Sequence, residues 1–187
     1  MTHFEYIFVA VSIILSFTLL RLLDALPFVF SRARGYWING VWVLFLLCLA
    51  AIFWWLSWSN RNLGEISFLY FLFHLASASV LYLTATALAS SAPALVPSWH
   101  EHFYLVRRRF FMGALIYISL LVANTFVTFK IPLQHPMRVA HASMIGLFAA
   151  GALLPSERAQ SFLGALASAL LALFLVLALS GRSPSFF

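Results

Sequence analysis

The side chains in this sequence best equipped for chemistry are two histidines, an arginine–aspartate pair and a run of three arginines. His74 and His141 each fall inside an apolar stretch. Histidine titrates near neutral pH, so the two suit proton passing or proton sensing. Two imidazoles from neighbouring helices also suit axial ligation of a haem. Arg21 and Asp24 stand three residues apart, on one face of a helix. An ionised group in hydrocarbon costs at least ~2.5–3.5 kcal/mol on insertion scales, so it needs a partner or a water-filled cavity. The pair reads either as a charged gate or as an arginine that snorkels to phosphates with the aspartate as its partner. Ser77 shares a stripe with His74, and Asn124 shares one with Tyr117 and Thr128. These residues line a polar pathway or make interhelical hydrogen bonds, the latter worth only ~0.6 kcal/mol on average. Arg107, Arg108 and Arg109, set beside aromatics, suit an anionic lipid headgroup.

Other chemistry has little to draw on. The five carboxylates are scattered, with no paired acid and base, no nucleophile elbow and no glycine-rich phosphate loop. There is no HExxH and no Cys/His zinc spacing. The single cysteine, Cys48, allows no intrachain disulfide. The expectation is a protein that is not an enzyme and has no metal site and no cofactor. Haem through His74 and His141 is the alternative.

The elements that must position these residues follow from hydropathy. Hydrophobic residues make up 64% of the 187 and charged residues 9%, whereas a soluble domain carries roughly a quarter charged residues. Six apolar runs, at about 4–26, 37–59, 66–88, 111–129, 137–154 and 161–180, each approach the ~20 residues that cross a bilayer core. The expected fold is all-α: a six-helix transmembrane bundle forming one domain over 1–187. A transmembrane β-barrel would show alternating segments of about ten residues instead. The first run is too long for a signal h-region and lacks a basic flank, so it is expected to stay. Pro27 should kink or end its helix. Ala142, Gly146 and Ala150 form a small-residue ridge, as do Gly164 and Ser168. Ser98 and Glu101 form a capping box ahead of Trp99, Phe103, Val106 and Phe110 at helical spacing. That pattern predicts an interfacial amphipathic helix over about 98–110.

The net charge of +6 would also suit nucleic acid. Here, however, the basic residues sit between spans, where they set orientation. Arg32, Arg34, Arg107, Arg108, Arg109 and Arg158 fall on one side and Arg61, Lys130, Arg138 and Arg182 on the other. The positive-inside rule then places both termini outside. Arg21-Leu22-Leu23, the turn Arg32-Ala33-Arg34-Gly35, Phe53-Trp54-Trp55, Tyr82-Leu83 and Arg107-Arg108 with Phe110-Phe111 carry a resemblance to a group of small polytopic bacterial inner-membrane proteins with no established activity. It covers about two-thirds of the chain, and Asp24 departs from it, standing where a small or neutral polar residue is expected. The resemblance implies the topology and the membrane, and supplies no mechanism. The functional expectation is a small oligomeric channel or transporter, with His74, Ser77, Asn124, His141, Arg21 and Asp24 as pathway or gate residues. The competing expectation is a non-conducting accessory subunit with a membrane-protein partner. Lipids and further copies of the chain are the expected partners.

Overall fold

The computed structural model describes residues 3–59, 61 and 67–179. Among these there are six α-helices: α1 (His3–Val29), α2 (Trp37–Ser59), α3 (Phe68–Ala89), α4 (Trp99–Val127), α5 (Met137–Leu153) and α6 (Glu157–Leu179). The six expected apolar runs each fall on one of these helices, the fourth lying within the longer α4 apart from its last two residues. Four stretches, Phe4–Val29, Trp37–Trp58, Phe68–Leu95 and Trp99–Val127, are long and apolar enough to cross a membrane, and Met137–Leu153 is a shorter apolar helix. Long helices suit so apolar a chain because they satisfy their backbone hydrogen bonds internally.

Local chemistry sets the helix ends. Ser67 and Ser98 accept hydrogen bonds from the Tyr70 and Glu101 amides, capping α3 and α4. Pro27 is tolerated in the last turn of α1, which ends two residues later. The Gly35 amide then donates to the Ser31 carbonyl and Tyr36 to Val29, closing a tight turn. A side chain at Gly35 would overlap the carbonyls of Ser31 and Val29, so the turn needs glycine.

The helices form a ring in the order α1, α3, α4, α5, α6, α2, with α2 leaning inward to meet α3 and α4 as well. Its Trp42 is the hub of an aromatic core. Ring centroids of Phe45, Phe110, Phe111 and Phe148 lie 5.6, 5.5, 5.0 and 6.3 Å away, in the tilted and edge-on geometries aromatic pairs prefer. The α1–α2, α3–α4 and α5–α6 connections gather at one end of the bundle, called here the basic end.

One expected element is absent as such. Residues 98–110 are not a separate interfacial helix but the first turns of α4, which runs unbroken from Trp99 to Val127. Trp99, Phe103 and Phe110 are fully buried in the bundle. Their spacing marked an apolar stripe correctly, but the stripe faces other helices rather than a membrane surface. The ridge on α5 is corrected too. Ala142 and Gly146 are exposed, and a side chain added at Gly146 would meet nothing within 4 Å.

Candidate functional site

The polar stripe of α3 and α4 is assembled and sealed. Tyr70 meets Phe129 at 6.3 Å and Thr84 lies against Gly113, an antiparallel register that sets His74 level with Asn124. His74 is 5% exposed. Its Nδ1 lies 3.1 Å from the Tyr70 carbonyl, and the ring stacks on Tyr70 at 4.0 Å and on Phe53 at 5.8 Å. Phe53 in turn meets Tyr117 edge-on at 6.1 Å. Asn124 Oδ1 accepts from the Thr128 hydroxyl at 2.7 Å, and Ser77 is buried. So the structure does bring His74, Ser77, Tyr117 and Asn124 to one interface, but it fills that interface with aromatic rings.

The other expected pairs are not brought together. His141 lies on α5, which packs on α4 and α6 and has no packed interface with α3. Its Nδ1 is 3.5 Å from Arg138 Nη1. The two histidines therefore do not face one another as axial ligands would. No group of three or more His, Cys, Asp or Glu residues suited to a metal occurs among the described residues. Arg21 does not pair with Asp24. Its guanidinium donates to the Ser91 carbonyl at 3.1 Å, beyond the end of α3, and Asp24 is exposed. A helix end leaves carbonyls without intrahelical donors, and these compete for a nearby guanidinium as effectively as a carboxylate on the same helix.

The same logic governs the basic end. Arg34 donates to the carbonyls of Ala94 at 3.0 Å and Val96 at 3.2 Å, and its own carbonyl accepts from the Trp99 amide at 3.0 Å. Arg107 reaches the carbonyls of Gly151, Ala152 and Leu154, capping the C-terminus of α5, where a cation also complements the helix dipole. Gln160 Nε2 joins it on Gly151 at 3.0 Å and on Leu154. Arg107 is thus withdrawn from the expected headgroup triplet, whereas Arg108 and Arg109 stay exposed. Tyr36 and Tyr104 hydroxyls lie 3.4 Å apart, either one donating. Burial, reinforced by Tyr104, pushes the Tyr36 phenol well above its usual range, so it stays neutral. His100 and Glu157 approach to 3.8 Å at the surface, a contact worth about 0–1 kcal/mol. Beneath them, among the described residues, both amide atoms of Asn39, the indole nitrogens of Trp42 and Trp99, and Gln160 Oε1 are buried with no hydrogen-bond partner.

Away from the basic end, α5 and α6 part. They meet near Gly151 and Gln160 and then turn to different neighbours, α5 to α4 and α6 to α2. Between them lies a half-open crevice of about 440 Å³, floored by Phe45, Cys48 and Ile52 of α2 and walled by Ala140, Ser143 and Leu170. Its lining is almost wholly apolar, and the Ser143 hydroxyl is satisfied by the Val139 carbonyl at 2.9 Å. The sequence reading missed this feature. Only the unusually small residues of α5 hinted that its packing would differ.

Comparison with known proteins finds no match: no family model, no curated protein and no solved structure is similar to this chain.

Proposed function

We propose that the protein is a non-conducting accessory subunit of the bacterial inner membrane, spanning it six times and catalysing nothing on its own. What carries this reading is the sealing of the polar stripe. Of the expected pathway residues, His74, Ser77 and Asn124 are buried together, with Tyr70 and Phe53 stacked on His74 and Tyr117 edge-on to Phe53. Burial of these side chains among aromatic rings supports a closed stripe over a hydrated path. The six-to-four distribution of basic residues supports a basic end facing the cytoplasm and both termini outside. Clamping of the connections by Arg21, Arg34 and Arg107 suits a rigid platform whose lateral faces meet lipid and a membrane partner.

Flux measurement tests the reading. Proteoliposomes containing the purified protein should pass ions and small solutes no faster than empty vesicles, under conditions where a known channel conducts. Flux that is altered by His74→Phe, with folding intact, would reinstate a pathway along the stripe or between copies of the chain. Reporter fusions at Arg108 and Arg182 (the latter outside the described residues) should report opposite sides, with Arg108 cytoplasmic.

A further inference from the structure

We infer that the α4–α5 connection is a pH-operated strap, closed while His135 and His141 are neutral and released when they take up protons. This goes beyond the accessory reading and rests on it only for the side the strap faces, the outside. The strap is built round Arg138. Its guanidinium donates to the Ile131 carbonyl at 2.6 Å, to the Pro132 carbonyl at 3.4 Å and to the Thr125 hydroxyl at 2.6 Å. It also lies 3.6 Å over the Phe126 ring. These contacts tie the connection to the end of α4 and the start of α5. Between them Lys130 is held at a φ of 51°, in the left-handed region that a lysine keeps only where its surroundings impose it.

His135 and His141 each stand three residues from Arg138, and the donor facing each ring fixes its protonation state. A guanidinium has no acceptor, so Arg138 Nη1 can only donate, and His141 Nδ1 at 3.5 Å must offer a lone pair. The Met137 amide likewise donates to His135 Nδ1 at 3.3 Å. That bond satisfies one of the free N–H groups at the start of α5, where Pro136 supplies no side-chain cap. Both rings are therefore neutral, with their proton on Nε2. A second proton must go to Nδ1, where it removes the acceptor and leaves a cation beside Arg138, at the positive end of the α5 dipole.

Among the described residues no carboxylate is placed to offset that charge. The connection and α5 hold none and add the cation Lys130. The charged groups of α4 and α6, which are Glu101, Arg107, Arg108, Arg109, Glu157 and Arg158, lie toward the basic end. Tyr70 of α3 meets Phe129, with His74 one turn further in, and Cys48 of α2 lies along another face of α5. Glu5 is at this end of the bundle, but its helix packs on α2 and α3. Both histidines are only half-buried, and histidine changes charge between about pH 8 and 5. Acidification thus removes two acceptors, adds two repulsions and lets the turn at Lys130 relax.

The test uses the full chain in mild detergent, with Cys48→Ala and a nitroxide label on Leu133→Cys, an exposed position in the connection. With both histidines present, the spectrum should shift from restricted to mobile as pH falls from about 8 to 5. His135→Asn combined with His141→Gln supplies neutral acceptors and should keep the label restricted throughout. His141→Arg supplies a fixed cation and should give the mobile spectrum already at the upper end. A label on Leu153→Cys, exposed at the far end of α5, should not respond. Absence of the shift would overturn the proposal. So would a shift that survives the paired substitution, or one that appears equally at Leu153. Reaction of the Leu133→Cys thiol with a membrane-impermeant maleimide in spheroplasts tests the side alone. Protection there, in a protein whose strap responds in detergent, would refute the orientation and not the strap.

Discussion

The α3–α4 and α5–α6 hairpins look alike in composition and behave as opposites. Each joins two apolar helices, and each carries small residues at four-residue spacing. In the first, Gly113 lies so close to Thr84 that a Cβ would overlap the threonine hydroxyl; in the second, Gly146 faces nothing within 4 Å. A small residue permits close approach without causing it. What decides is which helix the opposing buried stripe faces: that of α6, around Gly164, turns to Trp37 and Ile38 of α2 rather than to α5. α3 presents Ser77, Leu81, Thr84 and Ala85 to its neighbours. α6 instead turns Leu163 and Ala167 inward while Leu166 and Leu173 stay exposed.

The largest effect that would break this contrast lies at Gly113. Gly113→Leu should cost at least ~3 kcal/mol, beyond the usual range for overpacking, because the added side chain must displace Thr84 from a fully packed interface. It should appear as a large fall in melting temperature and in folded yield after extraction. A melt close to wild type would mean that the hairpin is looser than described. Next comes Arg107→Ala, which removes three hydrogen bonds at the α5 terminus and leaves Gly151 and Leu154 to Gln160 alone. With charge-assisted hydrogen bonds worth ~1.5–3 kcal/mol, we expect a loss of about 2–3 kcal/mol in denaturant unfolding. Arg108→Ala and Arg109→Ala should each fall within ~0.5 kcal/mol of wild type. Equal losses at all three positions would restore the headgroup role to the triplet.

Asn39→Leu should act in the opposite direction. Both atoms of this buried amide lack a partner, and replacing an unsatisfied buried group by an apolar one of similar shape removes a penalty of about 1–3 kcal/mol. A raised melting temperature is expected, and a lowered one would show that the amide is satisfied in the membrane. The smallest effect is the sharpest test of where α5 and α6 part. Gly146→Ala should be neutral or stabilising by up to ~1 kcal/mol through helix propensity alone. A clear destabilisation would show that the ridge packs against something after all.

The six helices were legible because each is a long apolar run, and the cap at Ser98 is local chemistry read from Ser98 and Glu101. Membership of the buried stripe was legible too, since His74, Ser77 and Asn124 share helical faces. Three things were not. Periodicity says that Trp99, Phe103 and Phe110 form a stripe, but not whether lipid or protein covers it, so α4 was divided in two. Sequence spacing brings Arg21 near Asp24, yet the Ser91 carbonyl that captures it is backbone and has no letter in the sequence. The crevice is a mismatch between helices that each look ordinary, and such a gap exists only once all three are placed.

The arginine clamps also carry a consequence for how the chain is made. Arg21 waits 70 residues for Ser91, Arg34 waits 60 for Ala94, and Arg107 waits 44 for Gly151. Chains are synthesised from the N-terminus, so each guanidinium is made before its acceptor exists and must find other partners meanwhile. The last clamp closes only when the α5–α6 turn emerges. A chain halted before Gly151 therefore carries α4 with Arg107 lacking the carbonyls that hold it in the finished protein.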